Sequence, residues 1–376
     1  MNYIEQLGEA AKKSKKSIAT ASTAKKNEIL EKIAQNLRKN IDVILSENEK
    51  DTAMAKENGI TDAMVDRLRL TPERINDIAD ACIYLTRLND PVGEVIEGYT
   101  RPNGMRITKT RVPMGVIGII FESRPNVTVD AATLCIKSGN AAILRGGKEA
   151  INSNKILMDI MRTSVEECGI QKDIIQLVED TSRESSNQMM KANGYIDVLI
   201  PRGGKGLIKA VVNNATVPVI ETGTGNCHIY VDEDCDFEMA KNIIINAKTS
   251  RPSVCNAAEK LLINEKIAGK FMPIIFEALR ENGVEIRGDE SLKALDDSVI
   301  LASEEEWYNE YLDYTIGVKI IKDIDEAINH INKFGSGHSE AIVTKSYEAS
   351  QTFLQKRYQT EHTVYFHNFH LLFSIP

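Results

Sequence analysis

The sequence has no excess of positive charge, no paired cysteines and no long apolar run. It contains 46 lysines and arginines against 54 aspartates and glutamates, for a formal net charge of −8. Nucleic-acid binding needs a basic footprint, so this balance argues against such a partner. No stretch approaches the ~20 apolar residues of a membrane span, and the amino terminus lacks a signal-peptide core. We therefore predict a cytoplasmic protein without nucleic-acid or membrane partners.

The cysteines show no pairing pattern. None stands in a CxxC pair, and their wide, irregular spacing fits neither a zinc site nor a disulfide framework. The spacing favours free thiols in a reducing compartment, and no metal site is predicted. The six positions are Cys82, Cys135, Cys168, Cys227, Cys235 and Cys255.

The first third of the chain predicts helices and then a hairpin. Residues 3–89 carry apolar positions at helical spacing. Asn103-Gly104 follows between β-prone flanks, which predicts a projecting hairpin arm over residues 98–114. Such an arm is either an oligomer contact or a plain surface hairpin.

From residue 116 onward, short apolar runs alternate with helical patterns. The predicted strands cover 116–121, 141–144, 173–178, 197–200 and 218–221, and the predicted helices cover 127–138, 149–168, 182–192 and 204–215. Apolar runs between helices indicate a mostly parallel sheet covered on both faces. Ligands of such sheets bind beyond the carboxyl ends of the strands.

A second alternating block begins near residue 228, after the junction at Thr222-Gly223-Thr224-Gly225. Its predicted strands are 228–232, 260–264, 318–321 and 340–344, with helices at 237–248, directly after Cys255 and at 323–332. We therefore predict an α/β protein with two doubly wound domains. The first domain spans 1–227, with the amino-terminal helices and the arm, the second spans 228–357, and a tail covers 358–376.

Cys255 is the candidate nucleophile. The segment CNAAEKLL has helical spacing, which predicts Cys255 at a helix amino terminus. There the helix dipole, with Lys248 and Arg251, would favour the thiolate. A thiolate attacks acyl carbon, and nearby N–H groups would hold the oxyanion. The alternative is a cysteine that serves as a small buried hydrophobe.

Two basic glycine turns are candidate phosphate sites. Arg145-Gly146-Gly147-Lys148 and Arg202-Gly203-Gly204-Lys205 each follow a predicted strand and precede a helix. Glycine lets the backbone approach a ligand, and helix amino termini attract phosphate. Neither turn matches a dinucleotide fingerprint or a P-loop, so ordinary tight turns are the alternative.

Polar residues follow two other predicted strands. Ser123 or Asn126 would donate to an oxyanion, whereas helix capping is the commoner use of such residues. Glu221 ends the predicted strand 218–221, where a carboxylate would act as a base, bind a ribose or simply line a turn.

Longer motifs resemble a known family. The segments VPMGVIGIIFESRPNVTVDAATLCIKSGNAAILRGGKEA, PRGGKGLI, VIETGTGNCHIYVD, SRPSVCNAAEKLL and GSGHSEAIVT resemble the glutamate-5-semialdehyde dehydrogenases, also called gamma-glutamyl phosphate reductases, which have the aldehyde dehydrogenase superfold. The resemblance runs to about residue 357. It implies NADPH-dependent reduction of L-glutamate 5-phosphate to L-glutamate 5-semialdehyde, with release of phosphate, in L-proline biosynthesis.

The resemblance also implies which residues bind the cofactor in the first domain. Arg145 and Lys148 fall where the superfold binds the adenosine ribose, and two cations there suit the 2′-phosphate of NADP. Gly203 and Gly204, with Arg202, fall at the helix that faces the pyrophosphate.

The catalytic roles follow from the same resemblance. Cys255 is the nucleophile, and the oxyanion donor falls near Ser123 or Asn126. Glu221 falls where aldehyde dehydrogenases keep a general base, although a phosphate-releasing reductase needs no hydrolytic water. Glu310 resembles the acid that holds the nicotinamide ribose.

The end of the chain departs from the family. The family continues with a Val-Asn-Ala-Ser segment and a basic tail that helps to complete a homo-oligomer, whereas this chain ends in RYQTEHTVYFHNFHLLFSIP. A shifted reading frame or a truncated gene would produce this ending, and no role is transferred to His362, His367 or His370. This ending supports the alternative of a truncated, inactive relative. A separate alternative is another aldehyde dehydrogenase that acts on a free aldehyde. The resemblance also implies functional coupling to glutamate 5-kinase.

Overall fold

The computed structural model describes residues 1–60, 62–122, 124–221 and 225–356, together with the backbone of residues 362–366. The chain forms two structural units, Met1–Thr222 and Gly223–Pro376. The sequence predicts a boundary after residue 227, whereas Cys227 begins the first strand of the second unit. Apart from residues 362–366, the predicted tail lies outside the described residues.

The amino-terminal region is helical, as predicted. Its helices are α1 (Tyr3–Ala19), α2 (Thr23–Lys39), α3 (Ile41–Glu57), α4 (Asp62–Leu68) and α5 (Pro72–Arg87). Thr71 caps α5 by accepting a hydrogen bond from the Arg74 N–H, and Pro72 occupies the first turn, where proline is tolerated. The apolar face of α2, including Ile29, Ile33 and Leu37, is fully buried.

The predicted hairpin is present. Strands β1 (Val95–Thr100) and β2 (Arg106–Thr110) pair antiparallel around the Asn103-Gly104 turn. Gly104 has a φ of 86°, a conformation that glycine adopts without steric cost. All six residues of β1 are exposed, so the first unit leaves this strand uncovered.

The first unit contains a four-stranded parallel sheet in the order β5-β4-β3-β6. Its strands are β3 (Val116–Phe121), β4 (Ala141–Arg145), β5 (Ile175–Leu177) and β6 (Val198–Arg202), and its helices are α6 (Pro125–Lys137), α7 (Ile151–Glu167), α8 (Arg183–Met190) and α9 (Lys205–Asn214), with short 3-10 turns at Lys148–Ala150 and Lys172–Ile174. In register, Ile120 lies opposite Arg145 and Phe121 opposite Arg202. The residues that follow β3, β4 and β6 therefore share one edge of the sheet.

One predicted strand of this unit is wrong. Residues 218–221 form no strand, and Val219 makes only an isolated bridge to Leu199. Pro218 has no backbone N–H to donate, and Ile220 is exposed, so the segment pairs at one point and then leaves the sheet.

The second unit contains a seven-stranded parallel sheet in the order β10-β9-β11-β8-β7-β12-β13. The strands are β7 (Cys227–Val231), β8 (Ala258–Asn264), β9 (Glu285–Gly288), β10 (Ile300–Leu301), β11 (Thr315–Ile321), β12 (Ser339–Val343) and β13 (His362–Phe366). The helices are α10 (Phe237–Thr249), α11 (Glu265–Glu281), α12 (Glu290–Leu295), α13 (Ile324–Phe334) and α14 (Tyr347–Lys356), with a 3-10 turn at Glu304–Tyr308. Within the described part of the chain, no helix has both the length and the apolar character to cross a membrane.

Candidate active site

Cys255 lies in a turn between α10 and β8, so the helix predicted after it is wrong. All seven residues of β8 are buried between β7 and β11, and a strand buried on both faces has no period that separates it from a helix. Lys248, predicted to support the thiolate, is itself buried with its Nζ 3.4 Å from Glu259 Oε1. The helix amino terminus and Lys248 therefore do not explain the reactivity predicted for Cys255.

Cys255 is an exposed residue. This exposure excludes the alternative that the residue serves as a buried hydrophobe. The remaining cysteines differ in this respect: Cys82, Cys135, Cys168 and Cys227 are buried, and Cys235 is half-buried. Burial raises the pKa of Cys135 to about 12, which keeps that thiol protonated and unreactive.

Two residues at the start of β7 fix the main chain of Cys255. A Cβ atom on Gly225 would lie 1.4 Å from the carbonyl oxygen of Cys255 and 2.9 Å from its Cα, so only glycine fits. The thiol of Cys227 donates to the same carbonyl oxygen over 3.3 Å, and burial raises the pKa of Cys227. These contacts hold the backbone of Cys255, which is itself an exposed residue.

Glu310 joins this arrangement. Its carboxylate accepts a hydrogen bond from the Gly225 N–H, and Gly225 packs against Cys255. Cys255 and Glu310, both predicted from the sequence, therefore both contact Gly225. Sequence reasoning missed Gly225, although its position directly after a Thr-Gly-Thr segment marked it as part of a turn.

In the first unit, Arg145 and Lys148 lie at the end of β4 as predicted. Arg145 Nη2 donates to the carbonyl oxygens of Thr181 and Ser182 over 2.8 and 3.2 Å. Its Nε is buried and has no hydrogen-bond partner among the described residues. Lys148 is exposed, which leaves its ammonium group accessible to a ligand.

The second glycine turn forms the amino terminus of α9. Glu122, a residue that sequence reasoning passed over, accepts a hydrogen bond from the Gly204 N–H over 2.8 Å. A Cβ atom on Gly203 would lie 2.6 Å from Glu122 Cδ. A carboxylate thus already occupies the anion-attracting end of this helix. Arg202 and Glu221 are exposed.

The structure gives little support to the two predicted oxyanion donors, Asn126 and Ser123. Asn126 lies in the first turn of α6, and its Nδ2 donates to Asp130 Oδ2 over 2.9 Å. Burial raises the pKa of Asp130. Asn126 therefore uses one of its two amide N–H groups within its own helix, and Ser123 lies outside the described residues.

Comparison with known proteins places the chain in a family. A model of the aldehyde dehydrogenase family matches residues 2–295. A gamma-glutamyl phosphate reductase of Clostridium botulinum (strain Alaska E43 / Type E3) is 58% identical over 356 residues, which cover 95% of this chain and 86% of the relative. The chain belongs to the gamma-glutamyl phosphate reductases of the aldehyde dehydrogenase family. The family and fold predicted from the motifs are confirmed.

Solved structures of gamma-glutamyl phosphate reductases agree. The enzyme from Thermotoga maritima is 44% identical and superposes with a TM-score of 0.94, covering 97% of this chain and 88% of that one. The enzyme from Saccharomyces cerevisiae is 31% identical with a TM-score of 0.56, covering 97% and 92% of the two chains. The high score with the Thermotoga enzyme extends the similarity from the motifs to the whole fold.

The residues directly after Gly225 form a buried cluster of polar contacts. Asn226 Nδ2 donates to the carbonyl oxygens of Trp307 and Phe334 over 2.7 and 2.8 Å. The His228 N–H donates to Glu340 Oε2 over 2.8 Å. These bonds tie the start of β7 to residues more than eighty positions later, which no local sequence pattern could reveal.

His330 packs into the same cluster without a polar partner for its Nε2 among the described residues. Its ring centroid lies 5.6 Å from that of His228 and 5.3 Å from that of Trp307. Burial, followed by the nearby His228, lowers the pKa of His330 to about 3. The folded protein therefore keeps this imidazole neutral.

We predict that His330→Phe reduces the acid sensitivity of folding. Because the unfolded chain protonates His330 near pH 6.5 and the folded chain only near 3, acid favours the unfolded state across this window. The free energy of unfolding of the wild type, minus that of the variant, should fall by up to about 1.4 kcal/mol per pH unit below 6.5. Urea titrations at several pH values measure this difference, and parallel pH curves for the two proteins would contradict the prediction.

Proposed function

We propose that Cys255 is the nucleophile of an NADPH-dependent acyl phosphate reduction. The chain reduces L-glutamate 5-phosphate to L-glutamate 5-semialdehyde, with release of phosphate, in L-proline biosynthesis. The observation that carries the role of Cys255 is its position as an exposed cysteine on a backbone fixed by Gly225 and Cys227. A nucleophile needs an accessible side chain on a rigid main chain.

The proposed chemistry at Cys255 has two stages. The thiolate attacks the acyl carbon, a C–S bond forms, and the bond from that carbon to the phosphate oxygen breaks as phosphate leaves. NADPH, if bound, would supply a hydride for the carbon of the resulting thioester and would itself be oxidised to NADP. The tetrahedral adduct then breaks its C–S bond, which releases the aldehyde and restores the Cys255 thiolate. An acyl phosphate is already a good acyl donor, so the protein mainly positions it and stabilises the oxyanion.

The residues at the edge of the first sheet fit the cofactor, which is NADPH. A Cβ atom on Gly146 would lie 2.2 Å from Asn154 Nδ2, so this turn has no room for a side chain. That Nδ2 and Arg145 Nε are buried donors with no acceptor among the described residues, which suits a ligand rich in phosphate oxygens. We assign Arg145 and Lys148 to the adenosine ribose and its 2′-phosphate.

The α9 amino terminus is assigned to the cofactor pyrophosphate, through Gly203 and Gly204 with Arg202. The Gly204 N–H is the donor that Glu122 now engages, so a phosphate oxygen there would replace the carboxylate as acceptor. Glu310 is assigned to the nicotinamide ribose. Glu221 is given no role in proton transfer, because the reaction consumes no hydrolytic water.

We predict that Lys148→Glu weakens NADPH binding about 10- to 100-fold and changes NADH binding little. The variant replaces a charge-assisted contact with repulsion of the 2′-phosphate, and NADH lacks that group. Fluorescence titration with each dinucleotide gives the two dissociation constants.

Lys270→Glu is the matched control, since Lys270 is an exposed lysine in the middle of α11. It should leave both affinities unchanged. Equal losses of NADPH and NADH affinity in Lys148→Glu would reject the assignment of Lys148 to the 2′-phosphate.

Partners and location are part of the same proposal. A homo-oligomer is supported by the uncovered β1–β2 hairpin, whose first strand is wholly exposed. Functional coupling to glutamate 5-kinase is supported by the reactivity of acyl phosphates, because direct supply limits their loss to water. The cytoplasmic location rests on the free cysteines.

The test of the proposed function is NADPH oxidation by the purified, folded protein with glutamate 5-phosphate. Turnover that requires this substrate is expected. In the reverse direction, oxidation of glutamate 5-semialdehyde should require phosphate or arsenate, since the thioester must be released by an oxyanion. Phosphate-independent oxidation of free aldehydes would instead indicate a hydrolytic aldehyde dehydrogenase.

A further inference from the structure

Three charged side chains are buried in one region of the second unit, and the proposed chemistry uses none of them. Glu259 and Lys260 lie on β8, and Lys248 lies in the last turn of α10; all three are fully buried. Lys248 Nζ lies 3.4 Å from Glu259 Oε1. Removing such charges from water costs several kcal/mol per ion even when they are paired. A contribution to stability therefore does not explain why these three residues are buried.

The cluster holds the segment that carries Glu310. The N–H groups of Tyr311 and Leu312 both donate to the Glu259 carboxylate, over 2.8 and 3.2 Å. Lys260 Nζ donates to the carbonyl oxygen of Asn309 over 2.8 Å. The main chain on both sides of Glu310 is therefore bound to buried charges.

The segment adopts a conformation that needs such an anchor. Leu312 has a φ of 55°, and in the described part of the chain no other non-glycine residue has a positive φ. This region is costly for a residue with a Cβ and persists only where the surroundings impose it. Leu312 is exposed, so packing of its side chain does not impose it, whereas the bond from its N–H to Glu259 does.

Glu310 transmits this restraint to the turn of Cys255. Its carboxylate accepts from the Gly225 N–H, and Gly225 packs directly on the Cys255 carbonyl. Burial lowers the pKa of Lys260 to about 8 and raises that of Glu259, so burial opposes both charges. The bonds to the main chain around Glu310 offset part of this cost.

We propose that Glu259 is a positioning residue of the reductase, which clamps the main chain of Tyr311 and Leu312 and so sets Glu310 against Gly225 beside Cys255. This inference rests on the proposed function, because it takes Cys255 as the nucleophile. Glu259 touches none of the reacting atoms and acts only through Glu310.

A double-mutant cycle tests this route. Glu259→Gln should lower kcat about 10- to 100-fold, because Gln offers the two N–H groups a single neutral acceptor atom. Glu310→Gln should lower kcat by itself, and adding Glu259→Gln to it should cost less than about threefold more, since a residue acting through Glu310 has nothing left to position. Multiplicative losses, or a kcat in Glu259→Gln within twofold of wild type, would overturn the proposal.

Amide hydrogen exchange supplies a readout that does not depend on activity. In Glu259→Gln, exchange should accelerate together at Tyr311, Leu312 and Gly225. Lys248→Met is the control: it unpairs the buried charge but leaves both N–H bonds to Glu259 in place, so it should lower stability without accelerating exchange at Gly225. Unchanged Gly225 exchange in Glu259→Gln would also overturn the proposal.

Glu259→Asp replaces Glu259→Gln if the latter does not fold. Aspartate keeps the charge but shortens its reach, so the same pattern is expected with smaller factors and is judged by the same criteria. If the wild type fails to reduce glutamate 5-phosphate, the proposed function is wrong. Hydrogen exchange in Glu259→Gln still tests, independently of activity, whether Tyr311, Leu312 and Gly225 are coupled.

Discussion

Cys255→Ala is expected to lower kcat about a thousandfold or more and to leave NADPH binding unchanged. Alanine cannot form the thioester through which the acyl group passes to the aldehyde, so the whole covalent route is lost. The side chain of Cys255 is exposed, and its removal leaves no cavity in the core. NADPH oxidation with glutamate 5-phosphate measures the loss, and fluorescence titration measures cofactor binding.

The control is Cys235→Ala, which removes a half-buried thiol from the same unit. Burial raises the pKa of Cys235 to about 12, so that thiol is a poor nucleophile and its loss should leave kcat within about twofold. Iodoacetamide should also inactivate the wild type with the incorporation of one label, at Cys255. Substantial turnover by Cys255→Ala would remove this residue from the mechanism.

Gly225→Ala is expected to reduce kcat about a hundredfold or more without touching any reacting group. The new methyl would lie 1.4 Å from the Cys255 carbonyl oxygen and 2.4 Å from the carbonyl carbon. Neither contact can be relieved by a side-chain rotation, because both atoms belong to the backbone. The turn must therefore move, and displacements of about 1 Å at a reacting group cost on the order of a hundredfold in rate.

Gly269→Ala is the matched control for this substitution. Gly269 lies in α11, and a Cβ atom there would meet nothing within 4 Å. Replacing an exposed helical glycine with alanine should stabilise the protein by about 1 kcal/mol and leave kcat unchanged. If Gly225→Ala is folded by circular dichroism, binds NADPH and retains full kcat, then the contact between Gly225 and Cys255 does not position the nucleophile.

Much of the fold followed from local patterns. The strand at Val116–Phe121 and the helices of the first unit were predictable, because a six-residue apolar run has the length of a strand and the neighbouring segments have helical spacing. The hairpin followed from Asn103-Gly104, whose second residue takes a positive φ. Two predicted elements are wrong for different reasons. The helix predicted after Cys255 fails because β8 is buried on both faces and so shows no period, and the strand predicted at 218–221 fails because Pro218 has no N–H to donate and Ile220 is exposed.

The site was predictable to the extent that its residues lie in motifs. Cys255, Lys148 and the glycine turns are marked by their neighbours in sequence. Glu122 and Glu259 were missed, because each acts on a partner brought to it by the fold: Glu122 on Gly204 and Glu259 on Tyr311. The residues around such a carboxylate in the sequence do not indicate which distant N–H group will donate a hydrogen bond to it.

The sequence by itself determined the family and the reaction and predicted Cys255 as the nucleophile, because these inferences depend on which residue types stand in long, specific motifs. The tertiary structure alone decided how Cys255 is presented. It placed the cysteine in a turn rather than at a helix end, and it packed Gly225 on the Cys255 carbonyl. It also fastened the segment of Glu310 to buried Glu259. These contacts join residues far apart in the chain, so their physical cause is the packing of strands and not the order of residues.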